Sequence, residues 1–136
     1  MPRRALFIAV PVAILLIPLG IFLADPAASD DTIARNVMID TVPVGGLNSA
    51  DATVAVTSYE DQLRSSTGAF TVNGSTFELS PIEVGLSADI DAAVEQAVAA
   101  RKVGGPVSRF LSWIVSFSKT QEVPLDVSFD DDAIDS

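Results

Sequence analysis

The sequence predicts an α+β fold: a small mixed domain in the order strand-helix-hairpin-helix-helix-strand, behind an N-terminal transmembrane helix. Three observations carry this. Asn73-Gly74 stands between two segments of alternating polarity. Three stretches with apolar residues at helical spacing are separated by Gly and Pro turn signals. And the first 24 residues contain a long run without charge.

That run, Ala5 to Ala24, reads ALFIAVPVAILLIPLGIFLA. A helix of about 20 residues, rising 1.5 Å each, spans a hydrocarbon layer of roughly 30 Å. Pro11 and Pro18 would break a soluble helix and are tolerated in a span. Arg3 and Arg4 precede the run, and Asp25, Asp30 and Asp31 follow it. The positive-inside rule then predicts a single-pass protein of the cell membrane, N-terminus cytoplasmic and the remainder outside. A cleaved signal peptide, and so a secreted chain, is the competing reading. The run exceeds the usual h-region of ~7–15 residues, and Ala24-Asp25-Pro26-Ala27-Ala28-Ser29 is a poor cleavage site.

Residues 25–36 are polar, contain Pro26 and lack periodicity, and are expected to be a tether. Val37 to Val44 is β-branched, ends at Gly45-Gly46 and predicts a strand, with Pro43 at its edge or end. Asn48 or Ser49 can cap a helix over about 50–64, in which Ala52, Ala55, Val56, Tyr59 and Leu63 share a face. Phe70-Thr71-Val72-Asn73-Gly74-Ser75-Thr76-Phe77-Glu78-Leu79 is a type I′ hairpin signature. A two-residue loop pairs Val72 with Ser75 and Phe70 with Phe77. The apolar residues then fall on one face, so register and pattern agree. The glycosylation sequon at Asn73 is explained by the turn.

Ser87 or Asp89 caps a second helix through Val94, Ala97, Val98 and Arg101, stopped by Gly104-Gly105. Pro106 opens a third, with Val107, Phe110, Leu111, Ile114 and Phe117 as its stripe, widened by Trp113 and Val115. Val123, Leu125, Val127 and Phe129 alternate with polar residues or Pro124, as in a half-buried strand. Asp130 to Ser136 has the acidic character of a helix start. The expected organisation is an anchor over 1–24, a tether over 25–36 and an α+β domain over 37–136, cut short at its C-terminal helix.

Composition limits the chemistry. The 136 residues include no Cys and no His. That excludes a disulfide framework, a thiol nucleophile, a Ser-His-Asp triad and an imidazole zinc ligand. Eight bases face 18 acids, for a formal net charge of −10, which argues against nucleic acid as a partner. Mean hydropathy is +0.41, largely from the first segment. Residues 25–136 hold six bases and all 18 acids, a net −12.

Glu60-Asp61 are adjacent on a helix, so their carboxylates diverge, and Glu83 between Ile82 and Val84 suits a structural pairing with an Arg. Asp126 to Asp131 fails as a calcium loop, with Asp131 where the sixth-position Gly is needed. Neither Gly-Gly pair forms a phosphate loop. No catalytic residue, metal site or cofactor is therefore expected. The candidates for ligand contact are Trp113, Arg109 and Tyr59: aromatic faces stack on sugars, and Arg pairs bidentately with carboxylates. Trp113 lies in a wide apolar stripe and fits the core better than a binding face.

The ordered set is distinctive: Val44-Gly45-Gly46-Leu47 before a capped helix, a hairpin entering Leu79-Ser80-Pro81-Ile82-Glu83-Val84-Gly85-Leu86, then Asp89, Ala97, Arg101 and a Gly turn, then a Phe/Leu/Trp helix and a Val-x-Leu-x-Val strand. Over about 36–135 it resembles the peptidoglycan-binding domain of VanW-like bacterial cell-surface proteins, also found N-terminal to some L,D-transpeptidases. The resemblance implies a non-catalytic extracytoplasmic module that binds peptidoglycan or positions a cell-wall protein, with a further domain of the same protein downstream. The alternative is the anchor and spacer of a wall enzyme such as an L,D-transpeptidase. A domain at −12 gains no steering towards anionic wall polymers, so affinity must come from local contacts or bridging cations.

Overall fold

A computed structural model describes residues 3–130, without the side chains of residues 3–9, 70, 77 and 79. The elements are α1 (Arg3–Ala24), a 3-10 turn (Pro26–Ala28), β1 (Val37–Ile39), β2 (Val42–Pro43), α2 (Ser49–Ser65), β3 (Gly68–Val72), β4 (Ser75–Leu79), β5 (Ser87–Ala88), α3 (Ile90–Ala99), α4 (Pro106–Val115), β6 (Gln121–Val123) and β7 (Val127–Ser128). It is a small mixed α/β domain. The expected C-terminal helix start at 131–136 lies outside the described residues.

The central sheet has the order β2-β1-β6. β1 runs antiparallel to β2 and parallel to β6, with Ile39 opposite both Val42 and Val123. The parallel pair needs a long crossover, and α2, α3 and α4 supply it. The single strand expected over 37–44 is instead two. The chain folds back at Asp40, whose φ of 52° a short Asp side chain tolerates. Pro43 falls on the edge strand, where a missing N–H costs no ladder bond. The strand expected over 123–129 is likewise divided. Pro124 cannot extend the β1–β6 ladder, so β6 ends at Val123 and β7 pairs with β5. Val127 and Phe129 are exposed rather than half-buried.

The hairpin forms in the expected register, Val72 opposite Ser75 and Thr71 opposite Thr76. Asn73 and Gly74 take φ of 51° and 83°, the left-handed pair a type I′ turn requires.

Helix ends follow local chemistry. Asn48 Oδ1 accepts from the Asp51 N–H at 2.8 Å and caps α2. Asp89, rather than Ser87, caps α3 by accepting from the Ala92 N–H at 3.1 Å. α3 stops before the glycines: Arg101 itself turns left-handed, with φ 63°. Pro106 is in the first turn of α4, as its fixed φ favours.

The core gathers Val37 and Ile39 of β1, Val44, Ala52 and Val56 of α2, Ala93, Val94 and Ala97 of α3, and Val123 of β6. Ile33 and Ala34 join them, Ile33 fully buried. The segment read as a tether is therefore part of the fold. Its burial depends on backbone bonds, Ile33 N–H to the Leu47 carbonyl at 2.8 Å and Gly46 N–H to the Ile33 carbonyl at 2.8 Å, which polarity patterns do not reveal. The paired chain passes so close at Gly45 that a Cβ there would lie 2.9 Å from the Asn36 amide nitrogen.

The expected single-pass membrane topology is corrected. Among the described residues no helix is long and apolar enough to cross a membrane. The last turn of α1 is occupied by the domain. The Phe22 ring lies edge-on to Phe110 and Trp113 of α4, at 5.5 and 5.6 Å between centroids.

Candidate functional site

Helix α4 was expected to bury Val107, Phe110, Leu111, Ile114 and Phe117. It instead turns Trp113 and Ser116 inward, with Phe110 half-buried, and leaves Val107, Leu111 and Ile114 exposed. The docked end of α1 causes this, because aromatic Phe22 offers the larger apolar partner. Trp113 is 8% exposed. It lies against Phe110 in a stacked arrangement at 6.0 Å and against Phe117 edge-on at 5.0 Å. It is a core residue and offers no open face to a sugar.

The indole N–H points at Asp25, donating to Oδ2 at 2.8 Å. The same oxygen accepts from Arg35 Nη2 at 2.9 Å, while Oδ1 accepts from the Ala27 N–H at 2.9 Å and caps the 3-10 turn. Burial alone would raise the Asp25 pKa. The bonds from Trp113, Ala27 and Arg35, with the Arg35 charge, outweigh it and hold the carboxyl below its ordinary 3.8. The Arg35 guanidinium also lies over the Phe117 ring, 4.3 Å from its centroid.

Arg109, one turn before Trp113, donates to Asp30 Oδ1 at 2.7 Å. Asp30 is 82% exposed, so this pair is a weak surface contact. Lys102 Nζ donates to the Thr32 carbonyl and, at 3.3 Å, to the Asp30 carbonyl. Burial pushes its pKa down; Asp30 and Asp31 oppose that, and Arg109 adds to it. Arg101 Nη2 donates to the Lys119 carbonyl, and burial lowers its pKa too.

Two hollows adjoin this cluster. A groove of about 320 Å³ runs between the end of α1 and the start of α4, walled by Phe22, Leu23, Pro106, Asp25 and Arg109. A cavity of about 20 Å³ shares Phe22, Ala28 and Arg109 with it. Of the three expected contacts, the structure thus brings Arg109 and Trp113 together, Arg109 at the groove and Trp113 behind it. Tyr59 is not among them: its hydroxyl donates to Asp40 Oδ2 at 2.7 Å and braces α2 against the β1–β2 turn. Glu83 accepts from the Ser80 N–H at 3.3 Å rather than pairing with an Arg, and Glu60 accepts from the Ala88 N–H at 3.0 Å.

Phe22, Asp25, Arg35, Arg101 and Lys102 were missed by sequence reasoning. One signal was available: Arg101-Lys102 is an adjacent basic pair in an otherwise acidic domain. Among the described residues no group of three or more carboxylates is placed to hold a metal ion. Comparison of the chain with family models, curated proteins and solved structures gives no match.

Proposed function

We propose that this chain is a non-catalytic module that binds peptidoglycan, or positions a cell-wall protein against it. The groove carries the reading. Its volume of about 320 Å³ is at the lower end of ligand pockets, which start near 300 Å³. Phe22, Leu23 and Pro106 offer apolar surface to a sugar ring or an acetamido methyl. Arg109 offers a planar fork to a stem-peptide carboxylate. Its present partner, Asp30, is so exposed that an incoming carboxylate can replace it at little cost. Because the chain is acidic overall, recognition rests on this local cation rather than on long-range attraction.

Co-sedimentation of the full chain with purified sacculi tests this. The bound fraction should fall several-fold in R109A and as salt rises. Failure to pellet at any salt or calcium concentration refutes the reading.

A further inference from the structure

The 20 Å³ cavity has an unusual wall. In a chain of net charge −10, four of the eight bases line it: Arg35, Arg101, Lys102 and Arg109. Two have carboxylate partners, Asp25 for Arg35 and Asp30 for Arg109. Arg101 and Lys102 have backbone carbonyls but no ion pair among the described residues. Asp30 and Asp31 also act on Lys102, so four positive charges face three carboxylates, Asp25, Asp30 and Asp31, and the wall carries one positive charge more than these answer.

The same wall holds two buried donors that lack an acceptor. Arg35 Nη1 and Arg101 Nε are the two buried side-chain polar atoms without a hydrogen-bond partner among the described residues, and both residues border this one cavity. A buried donor left unpaired is expensive, more so when charged, so their coincidence points to an acceptor between them. Size limits what that acceptor is. The space slightly exceeds the ~10–15 Å³ that one water needs on this measure. Water would satisfy both donors but leave the remaining charge unanswered. A small anion answers both.

We propose that this cavity is a binding site for one small monovalent anion, a halide or the carboxylate of formate, held by Arg35 Nη1 and Arg101 Nε and neutralised by Arg101 and Lys102. The site is independent of the peptidoglycan reading, and its test contains no cell-wall polymer.

Chloride-35 NMR of the full chain at constant ionic strength decides the matter. The folded protein should broaden the chloride line, formate should reverse the broadening, and methanesulfonate, too bulky for the space, should not. R101Q and K102Q should each reduce the excess broadening several-fold, and either suffices if the other fails to fold. Thermal unfolding gives a second readout: the midpoint should rise with chloride or formate over methanesulfonate, by the logarithmic dependence of a saturable site. Equal displacement by methanesulfonate means surface screening and overturns the site. No excess broadening with the folded chain means a buried water and overturns it too.

Discussion

Replacing Asp25 by Ala tests how the end of α1 is tied to the domain. The carboxylate is 10% exposed and takes three bonds, from Trp113, Arg35 and Ala27. Hydrogen bonds to a charged acceptor contribute about 1.5–3 kcal/mol each when buried. Arg35 is 36% exposed and can turn to water, so its loss belongs at the low end. The Trp113 indole is buried, and its unpaired N–H alone costs ~1–3 kcal/mol. The three contributions share one carboxylate and do not add in full, so with the lost cap of the 3-10 turn D25A should cost about 2–4 kcal/mol. For a domain of this size each kcal/mol moves the melting midpoint by roughly 4 °C, so the midpoint should drop by about 8–16 °C. Trp113 is the one Trp in the chain, which makes its fluorescence a direct report on the site. Its emission should shift to the red in D25A. A double-mutant cycle with W113F should show coupling of ~1 kcal/mol, as for bonded neighbours. A midpoint within about 2 °C of the parent, or costs that simply add, would refute the argument.

Four further outcomes follow from the same geometry. I33A should cost about 2–5 kcal/mol in chemical denaturation, as for a fully buried aliphatic residue; a change below 0.5 would restore the tether reading. G45A should destabilise by ~1–3 kcal/mol or more, because the nearest atoms to the new Cβ are backbone and cannot rotate away; an unchanged midpoint would contradict that close approach. F22A removes two aromatic contacts from α4 and should cost about 1–3 kcal/mol while leaving Trp113 more accessible to acrylamide quenching. The Asp25 pKa is lowered on folding, so its stabilisation is complete above the ordinary value of 3.8 and fades as pH falls through the folded value. Between about pH 5 and pH 2, D25N should therefore lose less stability than the parent, and parallel acid-unfolding curves would count against the shift.

Local chemistry was legible and distant pairing was not. The hairpin was readable because Asn73-Gly74 fixes its own turn and the flanking alternation fixes its register. The caps of α2 and α3 were readable because Asn48 and Asp89 act within three residues. The tether reading failed for the opposite reason: what holds Ile33 in the core is its backbone pairing with the turn at Val44–Leu47, and polar neighbours conceal it. The boundaries of β1, β2, β6 and β7 moved where Asp40 and Pro124 interrupt runs whose side-chain pattern continues unbroken.

The candidate site shows the limit most sharply. Its defining contacts join residues 79 or more positions apart: Trp113 with Asp25, Arg109 with Asp30, and the Asn36 side chain with the Ser116 carbonyl. Each partner taken alone has a bland explanation, an acid after an apolar run or a Trp in an apolar stripe. Only the docking of α1 on α4 turns them into one cluster. Arg101-Lys102 makes the same point at short range. On a continuing helix two adjacent side chains diverge by about 100°, and the pair would have faced different surroundings. α3 ends at Ala99, and the left-handed turn at Arg101 just beyond it brings both side chains to one cavity. That conformation is unfavourable for a long side chain without a compensating contact. Its contacts here are the Lys119 carbonyl and whatever accepts from Nε, so the strained residue and the unpaired donor are the same residue. An anion at Nε would thus stabilise the turn that builds its own site, and chloride should protect the backbone amides of Arg101 and Lys102 from hydrogen exchange more than those of α2.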